Sequence, residues 1–152
     1  MIDITAPDFD PLTLDAQICF PLYAATNLLQ RLYRPLLAPL GLTYSQYLVM
    51  LVLWERDTAH VGDLQRCLHV DTGTMTPLLK RMETAGLVRR QRDADDERRV
   101  TVALTARGRA LREEAAHVPA TLASRIEMSL AEAEQLHRLT TTLVGRLAQA
   151  AA

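Results

Sequence analysis

A mainly helical fold carrying one small β-hairpin, α+β in class, is the architecture this sequence predicts, and three observations predict it. Apolar residues recur at helical spacing near both ends of the chain, at Leu22, Leu29, Tyr33, Leu36 and Leu40 and again at Leu136, Leu139, Leu143 and Leu147. Between these stretches two short helical segments follow one another through a tight break, the pattern of a helix-turn-helix. Beyond them the period becomes strand-like on either side of a polar stretch, which reads as a hairpin. The chain of 152 residues is then a single domain, in which helices from residues 1–42 and 117–152 flank a central region of residues 43–116.

Each element has a local cause. The first helix spans about Leu14 to Leu40 and is ended by Pro39 and Gly41. Pro21 is awkward inside it, so the helix either bends there or begins its regular part there. Thr43 with Gln46 three residues on matches the reciprocal capping pattern, and Tyr47 through Trp54 follows as a mostly buried run. Val61 to Leu68 is a short helix with Val61, Leu64 and Leu68 on one face, and Asp71 caps the next, which runs to about Ala85 with Gly86 at its end. Pro77 lies inside that second helix and leaves open where it becomes regular. LVRRQR is the first hairpin strand, Asp93 to Arg99 the polar tip, and Val100, Val102 and Leu104, alternating with Thr101 and Ala103, the second strand. Thr105 caps a further helix, and helical periodicity returns after Pro119.

Composition excludes several classes. With 49% hydrophobic and 23% charged residues the chain can bury a core. The apolar run Leu48 to Trp54 is far shorter than the ~20 residues that span a bilayer. Asp3, Asp8, Asp10 and Asp15, with no Lys or Arg among the first fifteen residues, are the opposite of a basic secretory leader, which predicts a cytoplasmic protein without a membrane partner. Cys19 and Cys67 make neither a disulfide framework nor a zinc ribbon, and His60, His69, His117 and His137 show no ligand spacing, so no metal or cofactor is implied. The net charge of −1 hides a segregation. Lys80 to Arg112 holds ten cations against five anions, while the remainder holds seven against thirteen. Of the 17 basic residues all but Lys80 are arginine, the side chain suited to planar two-pronged contacts with phosphate and guanine. A basic segment on an acidic body has one face for a polyanion.

A helix-turn-helix followed by a basic hairpin is a winged helix, whose second helix enters the major groove while the hairpin reaches the backbone or minor groove. The stretch DTGTMTPLLKRMETAGLVRRQRDADDERRVTVALTARG resembles the winged helix of the MarR family of transcriptional regulators, through its LLKRMETAGLV helix end, DDERR wing and VALTARG exit. LDAQICFPLYAATNLLQRLYRPLLAPLGLTYSQYLVMLVLWE is similar to the organic-hydroperoxide-sensing branch of that family, and the likeness extends from about Leu14 to Ala120. The resemblance implies a homodimeric repressor with helices 1–42 and 117–152 as its dimerisation region and 43–116 as its DNA-binding region. Cys19 in QICF would be the sensing thiol, and Tyr33 in RLYRP and Tyr44 in LTYSQY its hydrogen-bonding tyrosines. Thr72, Thr74, Thr76 and Arg81 would lie on the recognition helix, with Asp96 and Arg98 on the wing; Lys80, Arg92 and Arg99 join them as neighbouring cations for double-stranded DNA, a palindromic operator.

The implied chemistry constrains the architecture. Cys19 and Tyr33 are 14 residues apart, roughly 21 Å along one continuous helix. If the two meet, the hydroxyl arrives most simply from a second subunit. Tyr23, four residues from Cys19, approaches along the same helix face. Phenols donating to sulfur and a nearby helix N-terminus both favour thiolate, the form that attacks a peroxide. Its sulfenic acid would be capped by a low-molecular-weight thiol, since no second cysteine occurs near the C-terminal region. Plain core packing is the expectation for Cys67, beside Leu64 and Leu68, and for Tyr47. The expected function is operator release on oxidation of Cys19 by an organic hydroperoxide. Two alternatives remain: a repressor released by a reversibly bound phenolic ligand, and a thiol peroxidase, which the lack of a βα alternation disfavours.

Overall fold

The structure, a computed structural model, describes residues 10–92 and 99–151. It divides into two compact units, Met1–Ala116 and His117–Ala152. In the first, a 3-10 turn at Leu14–Ala16 precedes α1 (Cys19–Leu37), and a second 3-10 turn, Ala38–Leu40, leads into α2 (Tyr44–Arg56). Then follow β1 (Thr58–His60), α3 (Val61–Leu68), α4 (Thr72–Thr84), β2 (Val88–Arg92), β3 (Val100–Leu104) and α5 (Ala106–Ala115). The second unit holds α6 (Val118–Ile126) and α7 (Leu130–Ala150).

The long first helix is shorter than its apolar pattern. Pro21 falls in the first turn of α1, where no amide partner is needed, so the regular helix starts just before it rather than at Leu14. Gly41 ends the segment at φ 68°, a left-handed conformation that glycine adopts without strain. Thr43 accepts from the Gln46 amide while the Gln46 side chain accepts from the Thr43 amide, so the α2 capping box forms as its spacing predicts. Asp71 accepts the Thr74 amide at 2.7 Å to start α4, and α4 is helical from Thr72 straight through Pro77.

The hairpin is part of a larger sheet. β1 pairs antiparallel with β3, giving the order β1-β3-β2 with Ala59 opposite Val102 and Arg90 opposite Val102 on the other side. β3 is therefore central, and Val102, Ala103 and Leu104 are buried in succession instead of alternating. The core joins α2 (Val49, Met50, Leu53), α3 (Leu64), α4 (Met75, Leu79, Met82) and the sheet (Val88, Val102). On α4 the buried positions Met75, Leu78, Leu79 and Met82 follow the spacing of one helix face, so the opposite face is left to solvent.

In the second unit the helical stretch after Pro119 is two helices. Glu127 at φ 51° ends α6, and Ser129 with Glu132 forms a second capping box that starts α7. Leu136, Leu139 and Leu147 of the predicted stripe are exposed in the single chain. Among the described residues no single helix is long and apolar enough to cross a membrane.

Candidate nucleic-acid interface and thiol site

The solvent face of α4 carries Thr72, Thr74, Thr76, Lys80 and Arg81, all exposed. Thr72 accepts from the Gln65 side chain at 2.8 Å, which ties the start of α4 to α3. Thr74 supplies the capped amide. A groove of about 470 Å³ runs between α3, α4 and the sheet, with Thr72 and Thr76 on one wall and Arg90 and Arg99 on the other. Arg92 is exposed at the end of β2. Asp96 and Arg98 lie outside the described residues. Hydroxyls and cations thus share one surface, with a helix of 13 residues offering its polar face and a strand bearing arginines beside it. Such a surface can donate to phosphates and to base edges together.

Three sets of polar ties brace the elements around this surface, and of these only the Thr105 cap is predicted from sequence. Glu83, in the last turn of α4, accepts from the Arg90 amide and from its guanidinium, each at 2.8 Å. Those bonds hold the Glu83 carboxyl below the usual carboxylate range, the amide contributing most. Asp57, at φ 63° after α2, forms a two-pronged pair with Arg109 of α5 at 2.6 and 2.7 Å, and its carboxyl is likewise held low, chiefly by that hydrogen bond. Thr105 both accepts the Gly108 amide and donates to the Gly86 carbonyl at 2.7 Å, closing α5 onto the exit of α4. The opposite charges of Glu83 and Arg90, seven residues apart across a glycine turn, were the available sequence signal for the first of these.

The thiol site is divided in the single chain. Cys19 is exposed at the first residue of α1. Tyr23, one turn on, is 68% exposed, so it shares a face with Cys19 but packs on little. Tyr33 sits near the far end of α1, and its ring lies 4.9 Å from that of Tyr44 and 5.7 Å from that of Tyr47, centroid to centroid. Tyr47 is buried, as its apolar setting predicts, and meets Trp54 edge-on at 6.1 Å. Trp54 in turn donates to the Gly108 carbonyl at 2.8 Å. Burial raises the phenol pKa of Tyr33, Tyr44 and Tyr47, so all three are neutral donors at physiological pH. The structure brings Tyr33 and Tyr44 together; a continuous α1 keeps Cys19 and Tyr33 of one chain about 21 Å apart along the axis.

Cys67 corrects an expectation. It is exposed and not packed in the core, because the eight-residue α3 buries Leu64 alone and leaves its neighbouring faces open. Among the described residues no group of three His, Cys, Asp or Glu could hold a metal ion.

A family profile described as the transcriptional regulator SarA/Rot matches residues 31–115. The chain is 42% identical over 141 residues to the organic hydroperoxide resistance transcriptional regulator of Bacillus subtilis (strain 168), covering 93% of this chain and 96% of that one. It is 48% identical over 127 residues to the HTH-type transcriptional regulator TtmR of Methylorubrum extorquens (strain PA1), covering 84% of this chain and 65% of that longer relative. A solved structure of reduced AbfR bound to DNA superposes with a TM-score of 0.79 at 31% identity, covering 91% of this chain and 95% of that one. These are regulators and not enzymes, which removes the thiol-peroxidase alternative. A helix-turn-helix joined to a three-stranded wing, with an N-terminal cysteine helix and these relatives across nearly its full length, places the chain in the MarR family of winged-helix transcriptional regulators, in the organic hydroperoxide resistance regulator branch.

Proposed function

We propose that this protein is a homodimeric repressor that holds a palindromic operator while Cys19 is reduced and releases it when an organic hydroperoxide oxidises that thiol. The observation that carries the reading is the exposed Cys19 sulfur at the N-terminus of α1, in a chain that matches, over 93% of its length, a relative named for organic hydroperoxide resistance. The thiolate attacks one peroxide oxygen, the O–O bond breaks, and the alkoxide leaves and takes a proton as alcohol. Cys19 becomes a sulfenic acid, and a low-molecular-weight thiol then displaces water to give a mixed disulfide.

Exposed apolar side chains at the start of and along α1 (Ile18 just before it, Leu22 and Leu28 within it) and on α7 (Leu136, Leu139, Leu147) support residues 1–42 and 117–152 as the dimerisation region. In the dimer the neutral phenols of the partner's Tyr33 and Tyr44 meet Cys19, with Tyr23 beside it on the same helix. Thr72, Thr74, Thr76, Lys80 and Arg81 enter the major groove, while Arg92, Arg99 and the wing residues Asp96 and Arg98 serve the flanking backbone and minor groove. Two recognition helices must then match grooves about 34 Å apart. Oxidation that disfavours this spacing by about 2.7 kcal/mol weakens binding a hundredfold.

The test is a mobility shift on operator DNA with organic hydroperoxide followed by thiol, for wild type, Cys19→Ser and Cys67→Ser. Cys19→Ser binds and ignores peroxide, and Cys67→Ser responds as wild type. A normal peroxide response in Cys19→Ser overturns the assignment. Release that dilution reverses and thiol does not would transfer the role to a reversible phenolic ligand.

A further inference from the structure

We propose that Glu83 is a positioning residue for operator binding: it latches the first wing strand to the recognition helix through Arg90, so that Arg90 serves this carboxylate and not the DNA. The inference rests on DNA binding by the winged helix and is independent of whether Cys19 is the sensor.

The Glu83 carboxylate engages Arg90 at three nitrogens. Its backbone amide reaches Glu83 Oε1 at 2.8 Å, and Nε and one terminal nitrogen reach Oε2 at 2.8 Å. β2 is an edge strand of the sheet, and the Arg90 amide is turned to the helix carboxylate, so Glu83 also satisfies a group that an edge leaves open. Both side chains are about one-third exposed, which screens the pair less than a fully solvated one. Glu83 sits in the last turn of α4, where the helix dipole disfavours an anion, so its presence there calls for a cation directly opposite.

The consequence lies two residues further along β2. Side chains alternate across a strand, so Arg92 shares the face of Arg90 and Arg89 takes the other. Anchoring Arg90 to the end of α4 therefore sets the direction in which Arg92 leaves the recognition helix. A wing free to pivot at Gly86, whose φ is 70°, would have to be ordered on each binding event.

Operator affinity of reduced protein decides the matter, for Glu83→Gln, Glu83→Asp, Arg90→Gln and the double variant Glu83→Gln/Arg90→Gln, with melting curves confirming folded protein. The expected result is an affinity about tenfold lower for Glu83→Gln and for Arg90→Gln, no further loss in the double variant, and an unchanged salt slope. Glu83→Asp recovers part of the loss. If Arg90 instead binds phosphate and Glu83 merely competes for it, Glu83→Gln binds more tightly and Arg90→Gln lowers the salt slope by about one; either result overturns the proposal, as do additive losses. Should the single Gln variants fail to fold, Arg90→Lys, which keeps the backbone amide bond and a cation opposite Glu83, must retain part of the binding, and its failure counts against the latch.

Discussion

Gly108→Ala should destabilise this protein, although glycine to alanine inside a helix ordinarily stabilises by about 1 kcal/mol. Gly108 is the third residue of α5, and a Cβ built on it lies 2.1 Å from the Leu87 carbonyl oxygen, where real Cβ atoms essentially never come within 3.0 Å. The obstacle is backbone and cannot rotate away. Leu87 must retreat by about 1 Å, and its carbonyl accepts both the Thr105 amide and the Thr105 hydroxyl at 3.1 Å. Those bonds weaken by about 1 kcal/mol each, and overpacking adds about 1–3 kcal/mol. After the helix-propensity gain the net loss is about 3 kcal/mol. For a chain of this size that lowers the melting temperature by roughly 6–12 °C.

Thermal melting followed by circular dichroism reads the effect, with Gly145→Ala as the internal control. Gly145 is also helical, in α7, and nothing lies within 4 Å of its added Cβ. That variant should gain up to about 1 kcal/mol. Two glycine-to-alanine changes of opposite sign in one protein separate close approach from propensity. A Gly108→Ala variant that melts at or above the wild-type temperature would refute the packing argument at the junction of α4, β2 and α5.

Two further outcomes follow from the titrating groups. The Asp57 carboxyl is held low by Arg109, so its contribution to stability is present above the carboxylate range and is lost as pH falls through it; the urea midpoint of wild type should drop on acidification more steeply than that of Asp57→Asn, and parallel curves would remove the pair from the account. Tyr33, Tyr44 and Tyr47 are stabilised as neutral phenols by burial, a contribution present below the ordinary tyrosine pKa and lost as pH rises past it. Alkaline titration of phenolate absorbance should show Tyr33→Phe, Tyr44→Phe and Tyr47→Phe each removing a late-titrating group, and loss of an early one would contradict the packing.

What was legible in the sequence was local. The Thr43–Gln46 box, the Asp71 cap and the Thr105 cap each depend on residues within one helical turn, the span Val61–Leu68 on little more than two, and each forms where its spacing predicts. β1 is three residues long and exists through pairing with β3 some forty residues on, so no period announces it. Glu127 breaks the last helical stretch at a residue with no helix-stopping chemistry, although the Ser129–Glu132 box just beyond it was a readable signal. Cys67 misled because Leu64 and Leu68 bracket it, while an eight-residue helix has room to bury only one narrow stripe. For the site, the exposed threonines and arginines of α4 and β2 were readable from charge and resemblance. The contacts of Glu83, Asp57 and Gly108 that join the surrounding elements were not readable, because their partners are set by tertiary contact.

The placement of the thiol explains why one chain is an incomplete sensor on the reading proposed here. Cys19 opens α1 in solvent, whereas the neutral phenols of Tyr33, Tyr44 and Tyr47 are packed together near the opposite end of that helix and against α2. A rigid helix cannot fold back on itself, so thiolate stabilisation by those phenols requires the second subunit. The same crossing makes oxidation mechanically useful. On the proposed reading a bulky adduct on Cys19 would lie at the subunit boundary and press on α1 of both chains. In each chain Tyr33 of α1 packs on Tyr47 of α2, Tyr47 on Trp54, and Trp54 is bonded to Gly108, at the junction where α5 closes onto the exit of the recognition helix. A disturbance that reaches Tyr33 therefore has a packed route to the junction at the exit of the recognition helix, and on the proposed reading a variant that breaks this route, such as Trp54→Phe with its indole donor gone, should still be oxidised at Cys19 yet release operator less completely. Equal release from oxidised Trp54→Phe and oxidised wild type would show that the signal leaves the interface by another path.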